Sequence, residues 1–310
     1  MAHHTVFIVN PSSSSGRTKK RFEKLLPDVR AEFADAQILL TTAPLEATEL
    51  TRSALRAGAK LIVAVGGDGT LNEVVNGFFE QRQNIASEAR LAVLMSGTGG
   101  DFRRSIGEPK ELKKELFQIK NGKTSAIDVG VVRCRQRDGT TKDRYFLNES
   151  SIGLSAYAAL LAKENPGKQN RFAYVVGALR ALYRSSPQTL DVNANGEKKT
   201  LPDVSFLTFA NAAYFGGAMH IAPGASLTDG LADVVSVRNV SLMMMLRYAR
   251  RLYCGTHYSL EQVTHFQTPR LEILGSYDLL VEADGEPCGR LPASFEILKG
   301  AIQLQGLPEQ

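Results

Sequence analysis

Two glycine-rich stretches carry residue types suited to phosphate. Gly66-Gly67-Asp68-Gly69-Thr70 follows the apolar run 61–65 and precedes a stretch of helical spacing from Leu71 to about residue 79. Glycines there permit a sharp turn and let a ligand approach the backbone. A helix start offers unpaired N–H groups and the positive end of its dipole, which suits an anion. Thr70 could cap that helix or donate to a phosphate oxygen. The Gly-Lys-Ser/Thr ending of a Walker loop is missing. Asp68 stands there instead, and a carboxylate beside phosphate is repulsive unless a divalent cation lies between them. Magnesium near Asp68 is therefore expected. Gly97-Thr98-Gly99-Gly100-Asp101-Phe102 repeats the plan after the apolar run 91–95.

Other candidates are weaker singly. Asp128 opens a stretch of strand character and could add a third carboxylate, or be only a strand-edge residue. Asn10-Pro11-Ser12-Ser13-Ser14 follows the first apolar run and could wrap phosphate or ribose; Thr41 or Thr42 could add a hydroxyl. Ala283-Asp284-Gly285-Glu286 reads first as a hairpin turn. If that turn faces a crevice, Glu286 becomes a candidate base for a hydroxyl attacking phosphate, with Asp284 orienting it or binding metal. Asp229-Gly230-Leu231 reads as a strand entry. Arg247, Arg250 and Arg251 share a helical stretch with Met243, Met244, Met245 and Leu246. That stretch could touch an anionic membrane; a core-facing methionine stripe with a solvated basic side is slightly favoured. Phe206, Phe209, Tyr214 and Phe215 could line a lipid cavity or be plain core.

Alternating elements must position these groups. Strands are expected at 5–9, 38–40, 61–65 and 91–95, with helices at 18–33, 44–57 and from Leu71. A break or kink is expected at Pro27. Such alternation predicts a parallel sheet with helices on both faces, and ligands then bind at the carboxyl ends of the strands. After about residue 125 the texture changes. Strands are expected at 127–135, 143–150, 189–194, 204–212, 232–237, 271–274 and 279–283, with helices near 155–163, 172–183 and 242–254. The expected organisation is an α/β domain over 1–125 and a mainly antiparallel β domain over 126–294, with 295–310 a candidate to return to the first. No internal repeat or low-complexity tract is apparent.

Composition narrows the partners. The formal net charge of +5 favours an anionic partner without choosing among nucleotide, nucleic acid and acidic lipid. The odd trio Cys134, Cys254 and Cys288 has no metal-ligand spacing and reads as reduced and cytoplasmic. No secretory signal is read at the start, and no apolar stretch reaches the ~18 residues needed to span a bilayer.

Taken together the residues resemble the diacylglycerol kinase catalytic-domain family, and within it the soluble bacterial lipid kinases. The likeness rests on Asn10-Pro11-Ser12-Ser13, on Gly66-Gly67-Asp68-Gly69-Thr70-Leu71-Asn72-Glu73-Val74-Val75-Asn76-Gly77, on the second glycine loop and on Asp284-Gly285-Glu286. It implies a three-layer α/β nucleotide-binding domain, a β-sandwich domain, and an active site in the cleft between them. ATP would meet Asn10, Pro11, Ser12, Ser13, Ser14, Thr41, Gly67, Asp68, Gly69, Thr70, Leu71, Asn72, Glu73 and Thr98. Asp68, Asp101 and Asp128 would form a magnesium-linked network, with Glu286 as proton acceptor and Asp284 beside it. A structural magnesium would bind Ser226, Asp229 and Leu231. The family usually has asparagine where Gly100 stands. The implied activity is phosphoryl transfer from ATP to a lipid hydroxyl, diacylglycerol first, at the inner face of a membrane. Nucleic acid is not expected as a partner, and an exposed sheet edge could support a homodimer. The rivals are an NAD kinase-like phosphotransferase and a non-catalytic nucleotide- or lipid-binding module.

Overall fold

In a computed structural model, which describes residues 4–95, 100–107, 111–163, 186–275 and 279–307, the chain divides into two compact units. One is Met1–Asp128 with Lys299–Gln310; the other is Val129–Leu298.

The first unit runs β1 (Thr5–Val9), α1 (Arg17–Glu32), β2 (Gln37–Leu40), α2 (Glu46–Arg56), β3 (Leu61–Gly66) and α3 (Asp68–Gly77). The short β4 (Phe79–Glu80) and β5 (Gln83–Asn84) follow, then β6 (Arg90–Met95), α4 (Asp101–Ser105) and α5 (Leu112–Asn121). Strands β2, β1, β3 and β6 lie side by side in parallel, with Val6 opposite Gln37 and Ile62, and Ile62 opposite Leu91. Near the chain's end Gln303 pairs with Arg90, adding a fifth parallel strand. Alternation sorts the side chains. Phe7, Val9, Val63, Val65 and Leu94 pack with Phe22, Leu25 and Val29 of α1 and with Leu116 and Ile119 of α5. Val6, Ile8 and Ile62 point the other way and are also buried, while α2 and α3 lie against β1 and β3. Each such side chain contributes roughly 1.5–3 kcal/mol on burial, which makes the sheet a firm base for the loops at its ends.

Two expectations need correction here. α1 runs unbroken through Pro27. Pro27 and Glu23, whose carbonyl the proline leaves without an intrahelical donor, both lie on the exposed side, where water can serve that carbonyl. α3 begins at Asp68, so Asp68, Gly69 and Thr70 form its first turn; the N-cap is Gly67, and no side chain caps it.

The second unit takes in most of β7 (Lys123–Arg135), then β8 (Thr141–Phe146), β9 (Glu149–Gly153), α6 (Leu154–Lys163), β10 (Gln188–Ala194), β11 (Glu197–Ala210), β12 (Ala232–Arg238) and α7 (Leu242–Cys254). β13 (Val263–Thr268), β14 (Arg270–Leu274), β15 (Leu280–Ala283) and the start of β16 (Glu286–Leu307) complete it. Pairings within this unit are antiparallel, as between β9 and β11, β11 and β12, and β15 and β16. Phe146, Phe209, Phe295, Leu207, Val281 and Leu291 centre its core. Phe209 is therefore core rather than cavity lining, and Phe206 stacks on Phe215 with ring centroids 5.9 Å apart. The helix expected at 172–183 lies outside the described residues. Asp128 sits within β7 rather than at its start, because the strand begins at Lys123.

Candidate active site

The loop after β1 is held by one amide. Asn10 Nδ2 donates to Thr70 Oγ1 at 3.1 Å, and Asn10 Oδ1 accepts from the Ser12 N–H at 3.0 Å. One side chain thus joins the loop after β1 to the first turn of α3, so Thr70 is engaged laterally rather than as a cap. Ser13 Oγ donates to the Asn10 carbonyl and lies 2.6 Å from Thr18 Oγ1. The backbone rises through left-handed Ser14, Ser15 and Gly16 into α1. Gly66 is needed for close approach: a Cβ there would lie 2.4 Å from Thr70 Oγ1. Buried Thr41 donates its N–H to the Val9 carbonyl. Glu73 accepts from the Ala47 N–H and so ties α3 to the start of α2. Asn72 is buried, and Asn76 Nδ2 donates to its carbonyl and side-chain oxygens.

Asp68 has a definite local task. Its carboxylate accepts from the N–H groups of Gly100, Asp101 and Phe102 at 3.1, 3.2 and 3.3 Å, at the start of α4. The first glycine loop therefore anchors the second. Asp101 Oδ1 pairs with Arg104 at 3.2 Å. Asp128, fully buried, accepts from the Gly300 N–H at 2.7 Å. Thr98 lies outside the described residues.

Gly100 adopts φ 62° and ψ 59°. That left-handed conformation is the one glycine enters freely and asparagine tolerates best, which gives a backbone reason for either residue here. A Cβ would come 3.2 Å from the end of the Arg103 side chain, which would have to give by a few tenths of an ångström. Gly100→Asn is expected to melt close to the parent, while Gly100→Val is expected to lose about 1–2 kcal/mol more. Thermal denaturation checks both.

Sequence reasoning missed a buried ion pair beside this loop. Arg103 and Glu115, 3.5 Å apart, are both buried. Glu115 also accepts from the Met95 N–H at 2.8 Å, and Arg103 donates to the Met95 carbonyl. They brace the strand end from which the second loop departs. Burial pushes the Glu115 carboxyl up to about 7, against the opposing pull of the Met95 N–H and the Arg103 charge. The legible signal was an acid, Glu115, one residue before buried Leu116 on α5.

In the second unit Asp284 and Gly285, at φ 50° and 79°, form the two-residue turn between β15 and β16, with Ala283 opposite Glu286. Two positive φ values mark the hairpin turn that Asp-Gly favours. Asp284 also accepts from the N–H groups of Leu147, Asn148 and Glu149 at 3.0, 2.8 and 3.2 Å. Its own N–H donates to the Glu149 carbonyl. The turn carrying half-buried Glu286 is thereby fixed to the start of β9.

A second missed pair lies below it. Glu282 Oε2 accepts from the Gly285 N–H at 2.7 Å, and its other oxygen accepts from Ser151 Oγ. Glu149 accepts from Thr208 Oγ1 at 2.9 Å. Burial, with Glu282 and then Asp284 as like charges, holds the Glu149 carboxyl well above its ordinary range. Burial likewise raises Glu282 to about 7. The sequence clue was an acid inside the apolar run Leu279-Leu280-Val281-Glu282-Ala283.

Among the described residues no three His, Cys, Asp or Glu side chains gather as a metal cage. The Asp68 carboxylate is committed to three backbone donors. Asp68 and Asp101, brought together at the start of α4, are the carboxylates that would stand by a magnesium carried in on nucleotide phosphates. In the turn 226–231, exposed Asp229 accepts from the Leu231 N–H at 2.9 Å, and Ser226 Oγ lies 3.3 Å from Thr228 Oγ1. That turn offers one carboxylate for a structural cation, with Asp233 near enough for the Asp229 charge to add to the rise that burial imposes on its carboxyl.

Residues 4–132 match the model of the diacylglycerol kinase catalytic domain, and residues 148–306 that of the YegS C-terminal NAD kinase beta sandwich-like domain. A diacylglycerol kinase of Bacillus subtilis is 28% identical over 291 residues, covering 93% of this chain and 91% of that protein. One from Mycobacterium tuberculosis is 25% identical, covering 96% and 93%. A crystal structure of a diacylglycerol kinase from Bacillus anthracis superposes with a TM-score of 0.72 at 22% identity, over 97% of this chain and 96% of that one. Yeast NADH kinase complexed with NADH superposes with a TM-score of 0.56 at 12% identity, over 98% and 83%.

Proposed function

Because the chain belongs to the diacylglycerol kinase catalytic-domain family, we propose that this lipid kinase transfers the γ-phosphate of ATP to a lipid hydroxyl, with diacylglycerol as first substrate and phosphatidic acid as product. The observation that carries this reading is the Asp284–Gly285 hairpin. It holds Glu286 half-exposed on a turn fixed by at least four hydrogen bonds, three to Asp284 and one to Glu282. A base must be held still to remove a proton in step with attack on phosphorus.

In this reading the first unit binds nucleotide. The helix start at Asp68–Thr70 and the loop 10–16 present backbone N–H groups to its phosphates, Asn10 and Thr70 hold the two loops in register, and Asp68 orients the second loop. Magnesium bound with ATP neutralises charge on the phosphates. Glu286 accepts the proton of the lipid hydroxyl, whose oxygen attacks the γ-phosphorus while the bond to the β-phosphate oxygen breaks and ADP leaves. Transfer requires Glu286 and the glycine loops to address the same phosphate. Positioning and charge neutralisation supply most of the acceleration.

The NAD kinase alternative keeps one point in its favour, the likeness to yeast NADH kinase. At 12% identity that likeness speaks to fold alone. A transfer assay with labelled ATP, offering NAD and diacylglycerol in mixed micelles, separates the readings. Label is expected in phosphatidic acid. Label in NADP, or no transfer to any lipid even in a single turnover, rejects the proposal.

A further inference from the structure

Helix α7 turns Met244 and Met245 toward the body of its unit and its arginines to solvent, as expected of a core-facing methionine stripe, but Met243 faces outward and none of the helix's residues is fully buried. One side is nonetheless well seated. Leu252 packs against the cluster of Phe206, Val235 and Ile221, and Met244, Met245 and Tyr248 are half-buried on the same side. Both ends are capped, by Ser241 Oγ accepting from the Met244 N–H and by left-handed Gly255. The opposite face is therefore fixed in place rather than poorly packed. It presents Met243 at 72% exposure and Leu246 at 70%, flanked by Leu242 and Tyr253. Arg250 stands among them; Arg247 and Arg251, also exposed, line the edge of this face beside the Tyr248 ring, 5.7 and 5.9 Å from its centroid, with Arg251 donating to Ser259 Oγ, and the helix contains no acidic residue.

We propose that this outer face of α7 docks on the surface of an anionic lipid bilayer. The inference rests on the lipid-kinase reading only for its purpose. A bilayer-resident substrate calls for a surface that meets the bilayer, and among the described residues no helix is long and apolar enough to cross a membrane. The occupant follows from charge and shape. A preformed helix with exposed leucine, methionine and tyrosine inserts shallowly at the boundary between headgroups and acyl chains. Arginines between them keep their guanidinium groups at the anionic headgroups while their stems cover apolar surface. A second copy is a poor occupant, because a two-fold contact would set the same three arginines against each other.

The test uses a polarity-sensitive fluorophore on Cys254, the exposed cysteine; Cys134 is buried and Cys288 half-buried. Phosphatidylglycerol-rich vesicles should shift its emission to the blue, and pure phosphatidylcholine vesicles much less. Leu246→Glu should weaken partition about tenfold or more. Replacing Arg247, Arg250 and Arg251 together by glutamine should weaken it about a hundredfold on the anionic vesicles. High salt should reproduce the arginine effect. Unchanged melting, and unchanged turnover of a short-chain diacylglycerol dispersed as monomers, show that the variants remain folded. Vesicle partition unaffected by these changes overturns the docking surface, as does a wild-type dimer that Leu246→Glu dissociates with no effect on vesicles. A wild-type chain that shifts on anionic vesicles but phosphorylates no lipid leaves the docking surface standing and removes the kinase reading.

Discussion

Glu286→Gln is expected to lower lipid phosphorylation by about 10²–10⁴-fold, the range lost with a positioned general base. Nucleotide binding should stay close to that of the parent. The amide keeps the volume of the carboxylate and still accepts a hydrogen bond, but it takes up no proton at neutral pH. The turn itself should survive. It is built by Asp284, Gly285 and the acceptors beneath them, and its positive φ values fall on Asp284 and Gly285, not on Glu286. The loss should therefore appear in kcat, with little change in KM for ATP. Asp284→Asn is the contrasting variant. The Asp284 carboxylate meets three backbone donors with its two oxygens, and an amide must turn its NH₂ toward one of them. It should lose stability and turnover together, whereas Glu286→Gln loses turnover alone. Single-turnover transfer from labelled ATP, nucleotide calorimetry and thermal melting separate the two patterns. Near-parental turnover in Glu286→Gln rejects Glu286 as the proton acceptor.

The contrast also explains what the sequence could carry. Glycine loops after apolar runs are local features, since strand, turn and helix start lie within a dozen or so residues. Gly66 and Asp68 could be read from their neighbours alone. The partners of those residues are not local. Asn10 reaches Thr70, Asp68 reaches the N–H groups of residues 100–102, and Asp128 reaches Gly300. Nothing in spacing announces such pairings, because they arise only when parallel strands stack. For the same reason residue type suggested a magnesium near Asp68 but gave no sign of the three backbone donors that its carboxylate accepts from. Helix α5 escaped notice because its apolar positions Leu112, Leu116 and Ile119 are thinly spaced among lysine and glutamate, and its Phe117 points to solvent. The outward apolar residues of α7, Met243 and Leu246, escaped notice for a different physical reason. Periodicity reports that a helix is amphipathic but not which medium its apolar residues meet, and α7 has apolar residues on two sides.

The buried pair Glu149 and Glu282 leads to the second large effect, on stability against pH. Burial lifts the Glu282 carboxyl from its ordinary 4.5 to about 7, and burial with the neighbouring Glu282 charge holds Glu149 well above its ordinary range. A carboxyl raised on folding binds its proton more tightly in the native state. The stability it contributes is fully present below pH 4.5, where both states are protonated, and is lost as pH rises through about 7. From Glu282 alone the loss amounts to roughly 3 kcal/mol, at 1.36 kcal/mol per pH unit. Above that pH an ionised Glu282 stands near Asp284 while still holding the Gly285 N–H. The strain falls on the turn that carries Glu286. Glutamine at 282 keeps the volume, can accept from the Gly285 N–H through its oxygen and can donate to Ser151 Oγ, yet does not titrate. Glu282→Gln is therefore expected to flatten the fall in melting temperature between pH 5 and pH 8 and to exceed the parent in stability at pH 8. Glu115 in the first unit titrates over the same window, but it is common to both proteins and cancels in the difference. Hydrogen exchange places the effect: protection of the Gly285 amide should drop at pH 8 in the parent and persist in Glu282→Gln. Parallel melting curves for the two proteins from pH 5 to pH 8 would mean that Glu282 carries the same charge folded and unfolded, and the pair would then hold no proton of its own.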